Sequence, residues 1–301
     1  MKQFTKDELC HYFRSFVGMD GGNLENAKLW LCGIEHGEGC AALEDVTPEH
    51  KPGAWSAERR GKANGEHRSW PLWEKVAKLV VGIRRNVLEE ARTNPGNLTW
   101  EHYRDDFLYG QDGYEFKLNL FPLASPQVNS RNWASAHDVQ PELRDKEQYR
   151  NLCRNGGRFE FMRELRNTHH PKVIIATGKT SLEDFVSAFG FEGCPHEEIV
   201  IGNRGNERRL SVYVARDADG LETRLVVTPF LSYRRYCLNT DELLEALASC
   251  VARWMSPDDF PELSNLPPAS RARSSSVDGT AARCGTTGLN PVAKSDKRPA
   301  Q

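Results

Sequence analysis

Three short apolar runs, each closing on a glycine or a polar turn, constrain this chain more than any other feature of its sequence. They are residues 27–34 (AKLWLCGI), 114–123 (YEFKLNLFPL) and 172–177 (KVIIAT). A strand buried on both faces reads as a continuous apolar stretch, and such strands belong to parallel sheets covered by helices. The intervening sequence supplies the helices. Residues 5–17 carry Leu9, Tyr12, Phe13 and Phe16 at helical spacing behind a Thr5 cap, and Pro71 opens a helical pattern that runs to position 92. Residues 146–168 are helical with an interruption at Gly156 and Gly157, another helix follows Ser181 to Phe189, and residues 240–254 place Leu243, Leu244, Leu247 and Val251 on one face. Residues 199–201, 209–215 and 223–229 read as further strands, the last two joined by a turn at Asp219 and Gly220. The alternation predicts an α/β fold, a three-layer α/β/α sandwich around a mostly parallel central sheet. Ligands of such sheets bind beyond the carboxyl ends of the strands, so chemistry is expected in the turns that follow the apolar runs.

Charge narrows the partners. Lys and Arg total 40 against 42 Asp and Glu, a net charge of −2. That balance excludes a protein that coats polyanions through its overall charge and confines any nucleic-acid contact to local basic loops. No apolar run reaches the roughly 18 residues of a membrane span, and the first residues lack the apolar stretch of a signal peptide. The expectation is a cytoplasmic chain without membrane contact. Eight cysteines are scattered without a C-x-x-C pair, which argues against a disulfide framework and a zinc ribbon. Cys32, His36, Cys40, His50 and His67 lie near one another, and Cys194 and His196 form a second pair, but neither group follows a ligand spacing, so no metal is expected. After Met255 the sequence turns to Pro, Ser, Arg and Gly without periodicity. This predicts one domain over residues 1–256 and a disordered tail over residues 257–301.

Four clusters carry chemically suggestive residues. Residues 33–39 (GIEHGEG) place Glu35 and His36 directly after a strand, where a carboxylate orients water or stabilises a cation; the alternative is a glycine turn whose Glu faces solvent. Asn119 interrupts an apolar run, and its amide matches the donor and acceptor pattern of a nucleobase edge or else bonds the backbone at a strand end. Phe121 next to it either stacks on a base or fills the core. Gly178-Lys179-Thr180 is not a P-loop, because position 173 is Val where that motif demands Gly. Lys179 at a helix start either holds one phosphate or merely accompanies a turn. Finally, residues 226–236 leave a strand through Thr228 and Pro229, then present Phe230, Leu231, Ser232, Tyr233, Arg234 and Arg235. They form either a wedge with phosphate ligands or a loop over the core with incidental arginines. The polar segment 41–69 is long for a connection and reads as the border of an enlarged pocket.

Taken in order, these clusters resemble the uracil-DNA glycosylase superfamily over residues 27–255. GIEHG at 33–37 is similar to the family's first motif, with Glu35 at the acidic position that activates water. Asn119 stands at the base-reading position, residues 174–179 are similar to the late strand and glycine turn, and residues 228–232 resemble the closing loop that supplies a leaving-group donor and a wedge. Two positions depart from the family pattern: His36 replaces its Pro, and Thr228 replaces its His.

The resemblance implies a monomeric, monofunctional DNA glycosylase without cofactor. Glu35 and Thr228 would be catalytic, with Asn119, Phe121 and His36 around the base and Lys179 and residues 230–235 on DNA. The two departures and the long polar segment turn the expectation from uracil to a bulky modified pyrimidine, such as a modified cytosine in phage DNA, and to a role in defence against such phage. The competing expectations are a non-catalytic nucleic-acid or nucleotide binding module of the same fold, and a metal-dependent nuclease using Glu35 and His36.

Overall fold

The computed structural model describes residues 3–36, 48–66, 71–125, 133 and 140–263. Within them the elements run α1 (Lys6–Phe13), β1 (Gly21–Gly22), β2 (Leu29–Gly33), α2 (Ala57–Glu66), α3 (Pro71–Glu90), α4 (Trp100–Asp106), β3 (Glu115–Asn119), α5 (Lys146–Asn155), α6 (Arg158–His169), β4 (Val173–Thr177), α7 (Leu182–Phe189), β5 (His196–Ile201), β6 (Arg208–Arg216), β7 (Glu222–Thr228) and α8 (Asp241–Ala252). One sheet holds all seven strands in the order β1-β3-β2-β4-β7-β6-β5. Its centre, β3-β2-β4-β7, is parallel, while β1, β6 and β5 extend it with antiparallel pairings.

Alternation along the strands builds two apolar layers. Leu29 and Leu31, Val173 and Ile175, and Val226 face one side, where they pack with Val80 and Ile83 of α3 and Leu243 and Leu247 of α8. Trp30 and Cys32, Phe116 and Leu118, Ile174 and Ala176, and Leu225 and Val227 face the other, against Tyr149 of α5, Phe159 and Met162 of α6, and Phe185 and Phe189 of α7. Each fully buried aliphatic or aromatic side chain contributes about 1.5–3 kcal/mol, so helices on both faces are what this strand composition requires. No helix of the described residues is long and apolar enough to cross a membrane. Cys10, Cys32, Cys153, Cys194, Cys237 and Cys250 are free thiols, and Cys40 and Cys284 lie outside the described residues.

Several boundaries differ from expectation. The first helix stops at Phe13, and the chain then bends through a turn closed by Met19 N donating to Phe16 O at 2.8 Å, which lets Gly18 O accept from Asn119 N at 2.9 Å. It keeps the expected start: Thr5 and Glu8 form a reciprocal capping box. The polar segment 41–69 is not all loop, since residues 57–66 form α2. The expected tail over residues 257–301 is corrected at its beginning. Phe260 and Leu263 are buried, Lys172 Nζ lies 2.8 Å from Asp259 Oδ2, and Phe260 packs edge-on against Tyr114 at 5.2 Å. Two apolar side chains and an ion pair suffice to hold this segment without any helical period. Residues 264–301 lie outside the described residues.

Candidate functional site

The carboxyl ends of the parallel strands are brought together by backbone hydrogen bonds that continue past the sheet. Leu120 N donates to Gly33 O at 2.9 Å, Phe121 N to Ile34 O at 2.8 Å, and Ser125 N to His36 O at 2.8 Å. The chain leaving β3 therefore runs beside the chain leaving β2 and holds Glu35 between strand end and core. On the other side Gly178 N donates to Thr228 O at 2.8 Å, which ties the end of β4 to β7. Gly178 has φ +116°, and a Cβ there would come within 2.7 Å of Ile34 Cδ1 and 2.8 Å of Phe230 Cζ. Only glycine accommodates both the backbone angle and that approach.

Glu35 is the most constrained charged group at these ends. Its side chain is 3% exposed and that of Lys146 2%. Lys146 Nζ donates to Glu35 Oε1 at 2.7 Å and to Ser125 Oγ at 2.9 Å, and its ammonium lies 5.3 Å from the centre of the Trp133 ring. Glu35 Oε2 is buried and has no hydrogen-bond partner among the described residues. Burial pushes the Glu35 carboxyl above its ordinary range, while the Lys146 hydrogen bond and charge and the Arg150 charge oppose the rise. The result is a carboxylate with one oxygen fixed by a cation and the other left as an open acceptor, able to orient water or face a developing positive charge.

His36 belongs to a second charged group. Its Nε2 is 3.7 Å from Asp20 Oδ1, and Asp20 also takes Lys117 Nζ and Arg59 Nη2, each at 2.5 Å. Burial and the neighbouring Lys117 charge depress His36 to about 4 despite Asp20, so the imidazole is neutral at pH 7 and offers one donor and one acceptor. Burial alone would raise Asp20, but Lys117, His36 and Arg59 hold it below its ordinary value. Arg59 belongs to α2, so this carboxylate fastens the polar segment to β3 beside His36.

Asn119 stands opposite Gly33 in the β2–β3 register, and a Cβ on Gly33 would come 2.6 Å from Asn119 Oδ1. The missing side chain makes room for the amide. Asn119 is buried, its Nδ2 donates to Gly18 O at 3.2 Å, and its Oδ1 accepts no hydrogen bond among the described residues. The wholly buried Arg158 fixes the same strand end by donating to Asn119 O and Ser15 O, each at 2.7 Å.

Other expected site residues are placed differently. Phe121 is fully buried with ring centres 6.0 Å from Tyr149 and 6.1 Å from Phe159, so it fills the core and has no face for a base. Leu231 is likewise buried in the α3–α8 layer and is not a wedge. Thr228 is fully buried, and its hydroxyl donates to Pro229 O at 2.8 Å, which uses its one donor. Lys179 Nζ donates to Arg209 O at 3.3 Å and lies 3.5 Å from Glu198 Oε2, which commits it to the β5–β6 hairpin. Phe230, Tyr233, Arg234 and Arg235 are exposed, and Ser232 is half-buried.

Lys146, Asp20, Lys117, Arg59 and Arg158 escaped the sequence reading. Only Lys146 left a trace, as a cation in the first turn of a helix, where the macrodipole disfavours it. Among the described residues no group of three His, Cys, Asp or Glu side chains is placed to hold a metal ion. Two surface clefts, of about 400 and 220 Å³, lie between α1 and α5 and between α3 and α8, and neither is lined by Glu35 or Asn119. Comparison of the chain with protein-family models, curated proteins and solved structures finds no match.

Proposed function

We propose that the chain is a monofunctional DNA glycosylase that hydrolyses the bond between deoxyribose and a flipped, modified pyrimidine, leaving an abasic site. The observation that carries this reading is Glu35: a buried carboxylate at the carboxyl end of a parallel strand, one oxygen bound to Lys146 and the other without a partner among the described residues. As the C1′–N1 bond breaks, its electron pair leaves with the base and positive charge develops on the sugar, which a preorganised carboxylate stabilises. Water then bonds to C1′, and the proton it gives up neutralises the departing base. Lys146 holds the carboxylate in one orientation and favours its ionised form. Asn119 Oδ1, which accepts no hydrogen bond among the described residues, suits a donor on the edge of the base, and neutral His36 suits either a donor or an acceptor. Arg59 brings α2 close to His36, so that this helix would meet a bulky group on the base. Defence against phage whose DNA carries such a base is the role we propose for this activity.

The second reading is a non-catalytic binding module. It is favoured by the Thr228 hydroxyl, which is spent on Pro229 O and offers nothing to a leaving base. An abasic-site assay on otherwise identical duplexes carrying cytosine, uracil or a bulky modified cytosine separates the two. The expected result is abasic sites in the modified duplex, weak or no release of uracil, and a loss of about a hundredfold or more in Glu35→Gln. Intact glycosidic bonds in every substrate would establish the binding module, and Glu35→Gln turnover within about tenfold of wild type would remove Glu35 from the chemistry.

A further inference from the structure

The loop between β7 and α8 closes on itself and displays its tip. Leu231 and Leu238 are buried anchors, and Leu238 N donates to Phe230 O at 2.9 Å, so the two ends of the loop meet. Arg208 of β6 braces it from outside: its Nε donates to Cys237 O at 2.8 Å, and its Nη2 to Arg235 O at 2.6 Å and to Asn239 Oδ1 at 3.3 Å. What protrudes from this braced base is Tyr233, Arg234, Arg235 and Tyr236, all exposed. Neither arginine is in an ion pair among the described residues.

The two tyrosines differ in a way that assigns them different roles. Tyr233 is held: its hydroxyl donates to Glu74 Oε1 at 3.2 Å, and its ring covers the Lys75 ammonium at 4.3 Å, a buried cation with no hydrogen-bond partner among the described residues. Tyr236 is 76% exposed, and its one polar or ring contact among the described residues is the Arg235 guanidinium, 5.4 Å from the ring centre. Water is a poor neighbour for an aromatic face of that size. An exposed planar ring beside the Arg235 guanidinium, with Arg234 next in the chain, suits a strand whose bases present free faces and whose phosphates lie alongside them. In a duplex the base faces are already stacked inside, so this tip gains from an unpaired strand what it cannot gain from a paired one.

We propose that this tip is a binding site for single-stranded DNA, with a base stacked on Tyr236 and the adjoining phosphates on Arg234 and Arg235. The choice of DNA rests on the glycosylase reading; the binding itself needs no bond cleavage. The test is fluorescence anisotropy of the full chain with an unmodified labelled oligonucleotide as a single strand, as the corresponding duplex, and as RNA of the same sequence. The single DNA strand should bind about tenfold or more tightly than the duplex. Tyr236→Ala should weaken that binding about tenfold with duplex binding and melting temperature unchanged, and Tyr236→Phe should restore it. Replacing both Arg234 and Arg235 by Ala should make the salt slope for the single strand shallower by roughly 1.4. Equal affinity for strand and duplex, an indifferent Tyr236→Ala, or tighter binding of RNA would overturn the proposal. Because the oligonucleotide carries no modified base, these failures are distinct from a failure to form abasic sites.

Discussion

Two buried glutamates, one at each end of the sheet, show how the same side chain serves different purposes. Glu115 opens β3 at the amino end and is fully buried. It accepts hydrogen bonds from the Tyr103 hydroxyl and the Tyr109 N–H, the latter at 2.7 Å, and Tyr114 N in turn donates to Tyr103 Oη at 2.8 Å. Every one of these donors is neutral, and burial pushes Glu115 up to about 7 against the hydrogen bonds that favour its ionised form. Glu35, beyond the carboxyl end of β2, is instead held by a cation 111 positions away and keeps one oxygen unbound among the described residues. A carboxyl group saturated by neutral donors from its own neighbourhood locks local structure. One fixed by a distant charge and left half open has something to offer a ligand.

The difference between the two ends is open to attack. Lys146→Met leaves the buried Glu35 charge without its ion-pair partner, and should cost about 3–5 kcal/mol in urea denaturation at pH 7. Combining it with Glu35→Gln should recover most of that loss, because no uncompensated charge remains. A double variant as unstable as the single one would show that Lys146 acts through packing on Trp133 instead. At the amino end, Phe260 seals the Tyr103–Tyr114 stack, whose ring centres are 5.4 Å apart. Phe260→Ala should cost about 3 kcal/mol without touching base release, and a melting temperature unchanged by it would mean that the segment beyond α8 is not part of the fold.

The smallest effect is a pH dependence. Glu115 has a folded pKa of about 7 against an ordinary 4.5, so the folded state binds its proton more tightly than the unfolded state does. The stability this confers is complete below about pH 4.5 and is lost as pH rises through about 7, by at most about 3 kcal/mol. Glu115→Gln should flatten that part of the stability curve. If denaturation midpoints measured between those two pH values gave parallel curves for wild type and variant, Glu115 would not be the group that titrates.

Much of the carboxyl end was legible from local pattern. The runs at 27–34, 114–123 and 172–177 each contain a central parallel strand, and their trailing residues place Glu35, Asn119 and Gly178 at the same edge of the sheet. The helix over residues 57–66 (AERRGKANGE) was not legible, because its two glycines and mostly polar residues give no apolar period to read. Phe121 and Leu231 were misread for a related reason: an apolar residue just past a strand looks the same in sequence whether it meets a ligand or the core. Burial there depends on which helix packs above it, and for Phe121 that is α5 and α6, which begin 25 or more positions later.

The sequence by itself determined the layered α/β arrangement, because strand burial, helical spacing and glycine turns are properties of neighbouring residues and need only a few positions to be expressed. Tertiary structure alone decided what each polar group at the strand ends would meet. Glu35 met Lys146, Asp20 met Lys117 and Arg59, and Thr228 met the carbonyl of its own neighbour. Except for the last, these pairs join residues that share no helix or turn. They form only when helix docking and strand register bring distant segments within a few ångströms, and burial then raises the cost of any polar group left without a partner.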